Sequence, residues 1–269
     1  MSSNTVIIML VYFNYDLVER SIESFISDFQ GDIIFIENPS IHSDKMREIG
    51  KKYNICSHYI CNENIGGCAI ELFLRSNVDM LKKYNYIAVT ESDMVIEKGC
   101  ISELVDILSN NIEIDIASIQ LDILPKYKNL PTNLWVPPIN KYKNFYLGYT
   151  GFQFIMFRRN ILYDFLQKLA NKMHVNNIAG GCNDFYGLSD TNLYDYILKN
   201  GMKWAVTNTK GDHIGWEKYL DDDGNFAQTC DYCKERSHHL YYTRSNEVLD
   251  NIHKFFFMKI IDVSVLYAI

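Results

Sequence analysis

A chain of 269 residues with 48% hydrophobic content is long enough for one large domain, or for a domain with an appendage. Its net charge of -7 argues against the broad basic footprint of a nucleic-acid binder, but leaves room for one phosphorylated small molecule held by a metal ion or a helix end. Seven Cys, an odd number, and a polar Met1 to Thr5 followed by an apolar run too short for a secretory signal predict a reducing, cytoplasmic setting with mostly free thiols.

Thr5 to Phe13 is an apolar run fit for a buried strand. From Asp16 the period changes: Leu17, Val18, Ile22, Phe25, Ile26 and Phe29 share a helical face, and Gly31 is expected to stop that helix. Asp32 to Glu37 reads as the next strand, broken by Asn38-Pro39-Ser40. Ser43 is placed to cap a short helix that ends near Tyr53, and His58 to Cys61 is a short strand. A helix is expected from after Gly67 to about Lys83, then a strand over Tyr86 to Thr90. Ile101, Leu104, Val105 and Leu108 mark another amphipathic helix, and Ile114 to Ile119 another strand.

Leu121 to Leu147 holds all but one of the 5 prolines and Trp135, and reads as a long loop over the sheet edge. Phe152 to Phe157 resumes as a strand, and Ile161, Leu162, Phe165, Leu166 and Leu169 form a helix face. A helix from Ser189 or Asp190 to Asn200 is closed by Gly201, and Trp204 to Val206 is a late strand. Beyond Gly211 the pattern weakens until a last helix or strand after Asn246. This alternation predicts an α/β fold: a mostly parallel central sheet flanked by helices over residues 1–215, with a less regular C-terminal extension, 216–269, packed on it. No segment is long enough to span a bilayer. The C-terminal run Phe255 to Ile269, interrupted by Lys259 and Asp262, reads first as a tail packed on the domain. Peripheral contact with the inner membrane face is the second reading of that run.

In an open α/β sheet, ligands bind at the carboxyl ends of the strands. Four polar clusters fall at such ends: Tyr12-Phe13-Asn14, Glu37-Asn38-Pro39, Asn62-Glu63-Asn64-Ile65-Gly66-Gly67 and Glu91-Ser92-Asp93. Gly66 and Gly67 let backbone approach a ligand, and the helix after them offers free N–H groups. Neither a dinucleotide-binding glycine motif nor a P-loop is present. Glu91 and Asp93 put two carboxylates beside one cavity, a donor set suited to Mn²⁺ or Mg²⁺ shared with phosphates. The plainer reading of the same triplet is a solvated strand end. Cys230, Cys233, His238 and His239 have zinc-ligand chemistry but lack the second-pair spacing, so an ordinary loop with free thiols is the preferred reading. His42, His58 and His174 read as surface or core residues. Among the aromatics, Trp135 and Trp216 are the best candidates to stack on a ligand ring.

Taken in order, these segments resemble the glycosyltransferases of the GT-A fold, most of all family 2, from about Val6 to His213. YFNYDLVERSIESF and IFIENPS resemble the strand ends that hold base and ribose, and NENIGGCA the family's Asn-x-Gly loop. TESDMVIEKGCISELVDIL resembles the surroundings of the metal-binding Asp-x-Asp motif, with Glu in the first place. TGFQFIMFRRNIL resembles the acceptor-side segment with its Gly and paired Arg, and SDTNLYDYILKNG the helix led by the catalytic base.

The resemblance implies a hexosyl transfer from a nucleotide-sugar, with UDP as the commonest nucleotide, to a hydroxyl of a glycan or lipid-linked acceptor. It also implies inversion at the sugar and a place in polysaccharide biosynthesis. Donor contacts fall to Tyr12, Asn14, Glu37, Asn38, Asn64, Gly66, Gly67, Glu91, Ser92 and Asp93. Metal binding falls to Asp93, Glu91 and His213, acceptor contacts to Trp135, Gly151 and Trp216, and the base role to Asp190. The nucleotide-sugar part then covers about 1–120 and the acceptor part about 121–215. From the residues alone, the plainer alternative for Asp190 is a helix cap. Two other functions compete: a weakened carbohydrate- or nucleotide-binding scaffold on the same fold, kept open by Glu91, and a nucleotide-sugar pyrophosphorylase. The latter needs a glycine-rich loop after the first strand, and Asn14 to Phe29 has no Gly.

Overall fold

The structure is a computed structural model that describes residues 4–62, 68–121, 140–148, 150, 153–170, 190–215 and 259–261. Its strands are β1 (Thr5–Val11), β2 (Asp32–Glu37), β3 (Ser57–Ile60), β4 (Tyr86–Thr90), β5 (Met94–Ile96), β6 (Ile116–Leu121), β7 (Asn140–Tyr142), β8 (Phe145–Leu147), β9 (Phe154–Arg158), β10 (Trp204–His213) and β11 (Lys259–Ile261). The helices are α1 (Tyr15–Ile26), α2 (Ser43–Lys52), α3 (Cys68–Ser76), α4 (Val78–Leu81), α5 (Cys100–Asn110), α6 (Arg159–Ala170) and α7 (Asp190–Asn200). All the strands join one sheet in the order β11-β3-β2-β1-β4-β9-β6-β10-β8-β7, with β5 paired to β10. β3, β2, β1 and β4 are parallel, as are β6 and β10; β9 runs the other way between β4 and β6. The centre is therefore mostly parallel, and its carboxyl ends lie along one edge.

Both faces of the sheet are covered, which is why β1 reads as a continuous apolar run rather than an alternation. Ile7, Met9 and Val11 pack with Val18, Ile22 and Phe25 of α1, Met46 of α2 and Leu104 of α5. Val6 and Ile8 face the other layer, with Phe73 of α3, Phe165 of α6 and Leu193 of α7. Phe154 meets Phe25 edge-on at 5.3 Å, and a fully buried ring of this kind contributes roughly 1.5–3 kcal/mol of transfer free energy. Among the described residues, no helix is long and apolar enough to cross a membrane.

Several boundaries differ from the sequence expectation, each for a local reason. The helix expected to reach Lys83 breaks at Asn77, whose backbone and side-chain N–H groups both donate to Phe73 O. Ser43 is the first residue of α2 rather than its cap; its hydroxyl accepts from Ser40 N–H at 3.0 Å. Part of the expected long loop is the β7–β8 hairpin, which turns at Lys143 with φ of 52°. Residues 122–139 lie outside the described residues. β10 does not end at Val206 but continues to His213, because β6 and β5 pair with its polar second half. At the C-terminus, Lys259–Ile261 adds antiparallel to the edge strand β3.

Gly211 is where β10 squeezes between β5 and β6. A Cβ there stands 2.4 Å from Ile119 Cδ1 and 3.3 Å from Met94 Cε. Overpacking of this kind costs about 1–3 kcal/mol. Because the nearest atoms are side-chain tips, Gly211→Ala is expected to lower the unfolding free energy from urea melts by about 1 kcal/mol, the low end of that range, and an unchanged value sinks the packing argument.

Candidate functional site

β4 delivers the chain to the ligand edge at Thr90. There Glu91-Ser92-Asp93 turns the backbone out into β5, which pairs antiparallel with the end of β10 so that Met94 faces His213. Ile214 N–H then donates to Asp93 O at 2.8 Å. Two further elements hold the turn. Gln153, just before β9, accepts from Glu91 N–H at 3.1 Å and from the Thr90 hydroxyl at 2.8 Å through its backbone carbonyl. From α1, the buried Ser21 hydroxyl donates to Ser92 O at 2.8 Å and Ser24 Oγ accepts from Ile96 N–H at 3.2 Å. The two serines interrupt the apolar face of α1, which is the signal that reading the sequence for hydrophobic period passed over.

The result is a cluster of three ligand-type side chains. His213 Nε2 is 3.2 Å from Glu91 Oε2 and 3.2 Å from Asp93 Oδ1. One ligand atom from each of the three lies within 4.8 Å of the others, the spacing of groups that can share a cation. The side chains of His213 and Asp93 are 12% and 18% exposed, while that of Glu91 is 42% exposed. Burial of the imidazole pulls its pKa down, but the charge of Asp93 first, and then the Glu91 contact, outweigh it and raise the value to about 10. The Nε2 N–H donates to Glu91 Oε2 at 3.2 Å, while the buried Asp93 Oδ1 meets the imidazole as an ion pair rather than as a hydrogen-bond acceptor. A buried carboxylate oxygen held by charge alone, next to a second carboxylate and an imidazole, fits an oxygen- and nitrogen-binding ion such as Mn²⁺.

The other expected donor residues spread along the same edge. Tyr12 and Asn14 flank Phe13, which holds φ of 47° while Asn14 N–H closes a tight turn on Tyr12 O at 2.5 Å. Beside them the His42 ring packs between Phe13 at 4.9 Å and Tyr15 at 5.2 Å. Glu37 lies deeper. It is fully buried, and its Oε2 pairs with His58 Nε2 at 2.6 Å, while Oε1 accepts no hydrogen bond. Asn38 is also buried. The Arg pair in TGFQFIMFRRNIL stands at the far end of β9, where Arg158 donates to Ile114 O and Asn111 O and Arg159 to Tyr84 O. Because β9 is reversed, the two arginines stand at the edge opposite the carboxyl ends of β4 and β6. Asp190 opens α7, and since α7 leads back into the start of β10, its N-terminus belongs to the ligand edge as well. Asn64, Gly66, Gly67, Trp135, Gly151, Trp216 and the Cys230, Cys233, His238, His239 group lie outside the described residues.

No family model matches the sequence, and no curated protein does either. Solved structures do match the fold. The mannosyltransferase PcManGT of Pyrobaculum calidifontis, in complex with GDP-Man and Mn²⁺, superposes with a TM-score of 0.52 at 13% identity over 78% of this chain and 56% of its own. The fold is GT-A. A structure of GalNAc-T7 with UDP, GalNAc and Mn²⁺ shares this fold with a TM-score of 0.52 and 13% identity, over 78% of this chain and 43% of that one. Glucosyl-3-phosphoglycerate synthase of Mycobacterium tuberculosis, solved with Mn²⁺ and UDP, gives a TM-score of 0.50 and 13% identity over 79% and 72%. This chain thus spans only about half the length of the first two of these GT-A proteins.

Proposed function

We propose that the protein is a glycosyltransferase that moves a hexosyl group from a nucleotide-sugar to a hydroxyl of a glycan or lipid-linked acceptor, with Mn²⁺ or Mg²⁺ as cofactor. The observation that carries this reading is the Glu91, Asp93 and His213 cluster at the carboxyl edge of a GT-A sheet. Neighbours of the same fold, solved with nucleotides and Mn²⁺, support it. Asp93 and His213 would hold the ion, and the more exposed Glu91 would contribute a third oxygen or turn to the ribose. A divalent ion bound there supplies Lewis-acid stabilisation to a departing diphosphate.

The remaining steps belong to the chain itself. Phe13, Tyr15 and His42, the first two with rings at 59° and 65° to that of the third, offer single aromatic faces for the base beside Tyr12 and Asn14. The N-terminus of α3 follows β3 at the same edge, and the positive end of its helix dipole suits phosphate oxygens. Asp190, at the first position of α7, sits where the helix dipole favours the carboxylate, and it takes the acceptor hydroxyl's proton as general base. Attack from the side opposite the diphosphate inverts the anomeric carbon. Residues 1–120 then form the nucleotide-sugar part and 121–215 the acceptor part, in a chain proposed to work in the cytoplasm.

The test is a panel of nucleotide-sugars with Mn²⁺, read by melting temperature and by release of nucleoside diphosphate. The matching donor is expected to raise the melting temperature only with metal present, and to be turned over once an acceptor is supplied. Binding without turnover across many acceptors points instead to a binding protein on this fold. Mn²⁺ affinity is expected to increase with pH toward about 10, because the ion must displace the His213 proton. Metal-free stability has the opposite sign. The raised imidazole contributes fully below its unfolded value of 6.5, and the contribution fades as pH climbs toward about 10. A pH-independent Mn²⁺ affinity removes His213 from the ligand set.

A further inference from the structure

We propose that Glu103 is a positioning residue for the metal site, acting through a bulge in β10 that sets His213 level with Asp93; this rests on the metal reading given above. The register of β10 against β6 shows the bulge. Val206 stands opposite Ser118, but Lys210 stands opposite Gln120, so four steps along β10 match two along β6. At about 3.3 Å per residue, the surplus draws the rest of β10 back by roughly 6–7 Å. Past the bulge, Gly211, Asp212 and His213 pair with Ile96, Val95 and Met94. In a straight strand the place of His213 falls to Gly211, and the imidazole lies beyond the turn that carries Asp93.

A bulge takes backbone N–H groups out of the ladder, and they need other acceptors. Glu103 of α5 supplies them. Its Oε1 accepts from Asn208 N–H at 2.7 Å and Asn208 Nδ2 at 2.9 Å, and its Oε2 from Thr209 N–H at 2.9 Å and the Thr209 hydroxyl at 2.6 Å. Glu97 takes the next N–H, of Lys210, at 2.8 Å. Four donors on two oxygens is a task for a carboxylate: a carboxamide of the same shape turns an NH₂ toward two of those donors. Glu103 has no place among the metal ligands themselves, so its influence passes through residues 208–213.

The experiment is a calorimetric titration of Mn²⁺ into the full chain and into Glu103→Gln, His213→Ala and the double variant. Glu103→Gln is expected to weaken binding about tenfold, in line with groups that orient a ligand. The double variant is expected to bind no more weakly than His213→Ala, since the two changes act through one residue. Unchanged affinity in Glu103→Gln, or equal weakening in both backgrounds, overturns the proposal. Should Glu103→Gln not fold, Thr209→Val removes one of the four donors and is expected to cost about fivefold in affinity; no change there also counts against it. If the wild-type chain binds no Mn²⁺, it is the metal reading that fails. The positioning claim then stands or falls on amide exchange at Ile214, whose N–H bonds Asp93 O: Glu103→Gln should speed it about tenfold with β1 unchanged, and unaltered exchange at Ile214 refutes it.

Discussion

Asp93→Asn is expected to lower nucleoside diphosphate release from the donor by about 10²–10³-fold, the scale of several kcal/mol of lost charge stabilisation. The change keeps the shape of the side chain and leaves its backbone carbonyl to accept from Ile214 N–H, so the turn into β5 is retained. What it removes is the buried oxygen charge that faces the imidazole at 3.2 Å. Glu91→Gln is expected to cost less, because that side chain is 42% exposed and water can replace part of what it offers. Steady-state release with saturating Mn²⁺, alongside a Mn²⁺ titration, checks both. An Asp93→Asn enzyme with wild-type turnover ends the metal assignment, whatever the fold.

Asp190→Asn carries the second large effect. Loss of a positioned general base costs typically about 10²–10⁴-fold. Asparagine is chosen because it keeps the size of aspartate at the first position of α7 and gives up only a first-turn charge worth about 0.3–1 kcal/mol, so the helix and its packing through Leu193 and Tyr196 should survive. Donor and Mn²⁺ binding are expected to stay at wild-type strength while transfer to acceptor falls. If transfer is unaffected, Asp190 is a helix-starting residue and the base lies elsewhere along the edge.

How much of this was legible beforehand follows from range in sequence. β1, β2, β4, β6 and β9 show in the apolar runs because each is buried on both faces, and Glu91 with Asp93 stands out against such a run. His58 and Glu37 were read separately, one as structural and one as a donor contact. The structure pairs them at 2.6 Å, a contact that exists only because β2 and β3 lie side by side. The second half of β10 gave no strand signal, since its stability comes from β5 and β6 rather than from its own residues.

The sequence by itself determined the layered α/β plan and the carboxylates at the end of β4. These are properties of short windows, where hydrophobic period and turn chemistry act locally. Tertiary structure alone decided that β9 runs backwards between β4 and β6, that serines of α1 brace the turn, and that a carboxylate of α5 sets a bulge in β10. It also brought His213 to Glu91 across 122 residues of chain. No local pattern encodes that meeting. It depends on where the ladder of β10 loses its register, and so on hydrogen bonds between elements that only the finished sheet makes neighbours.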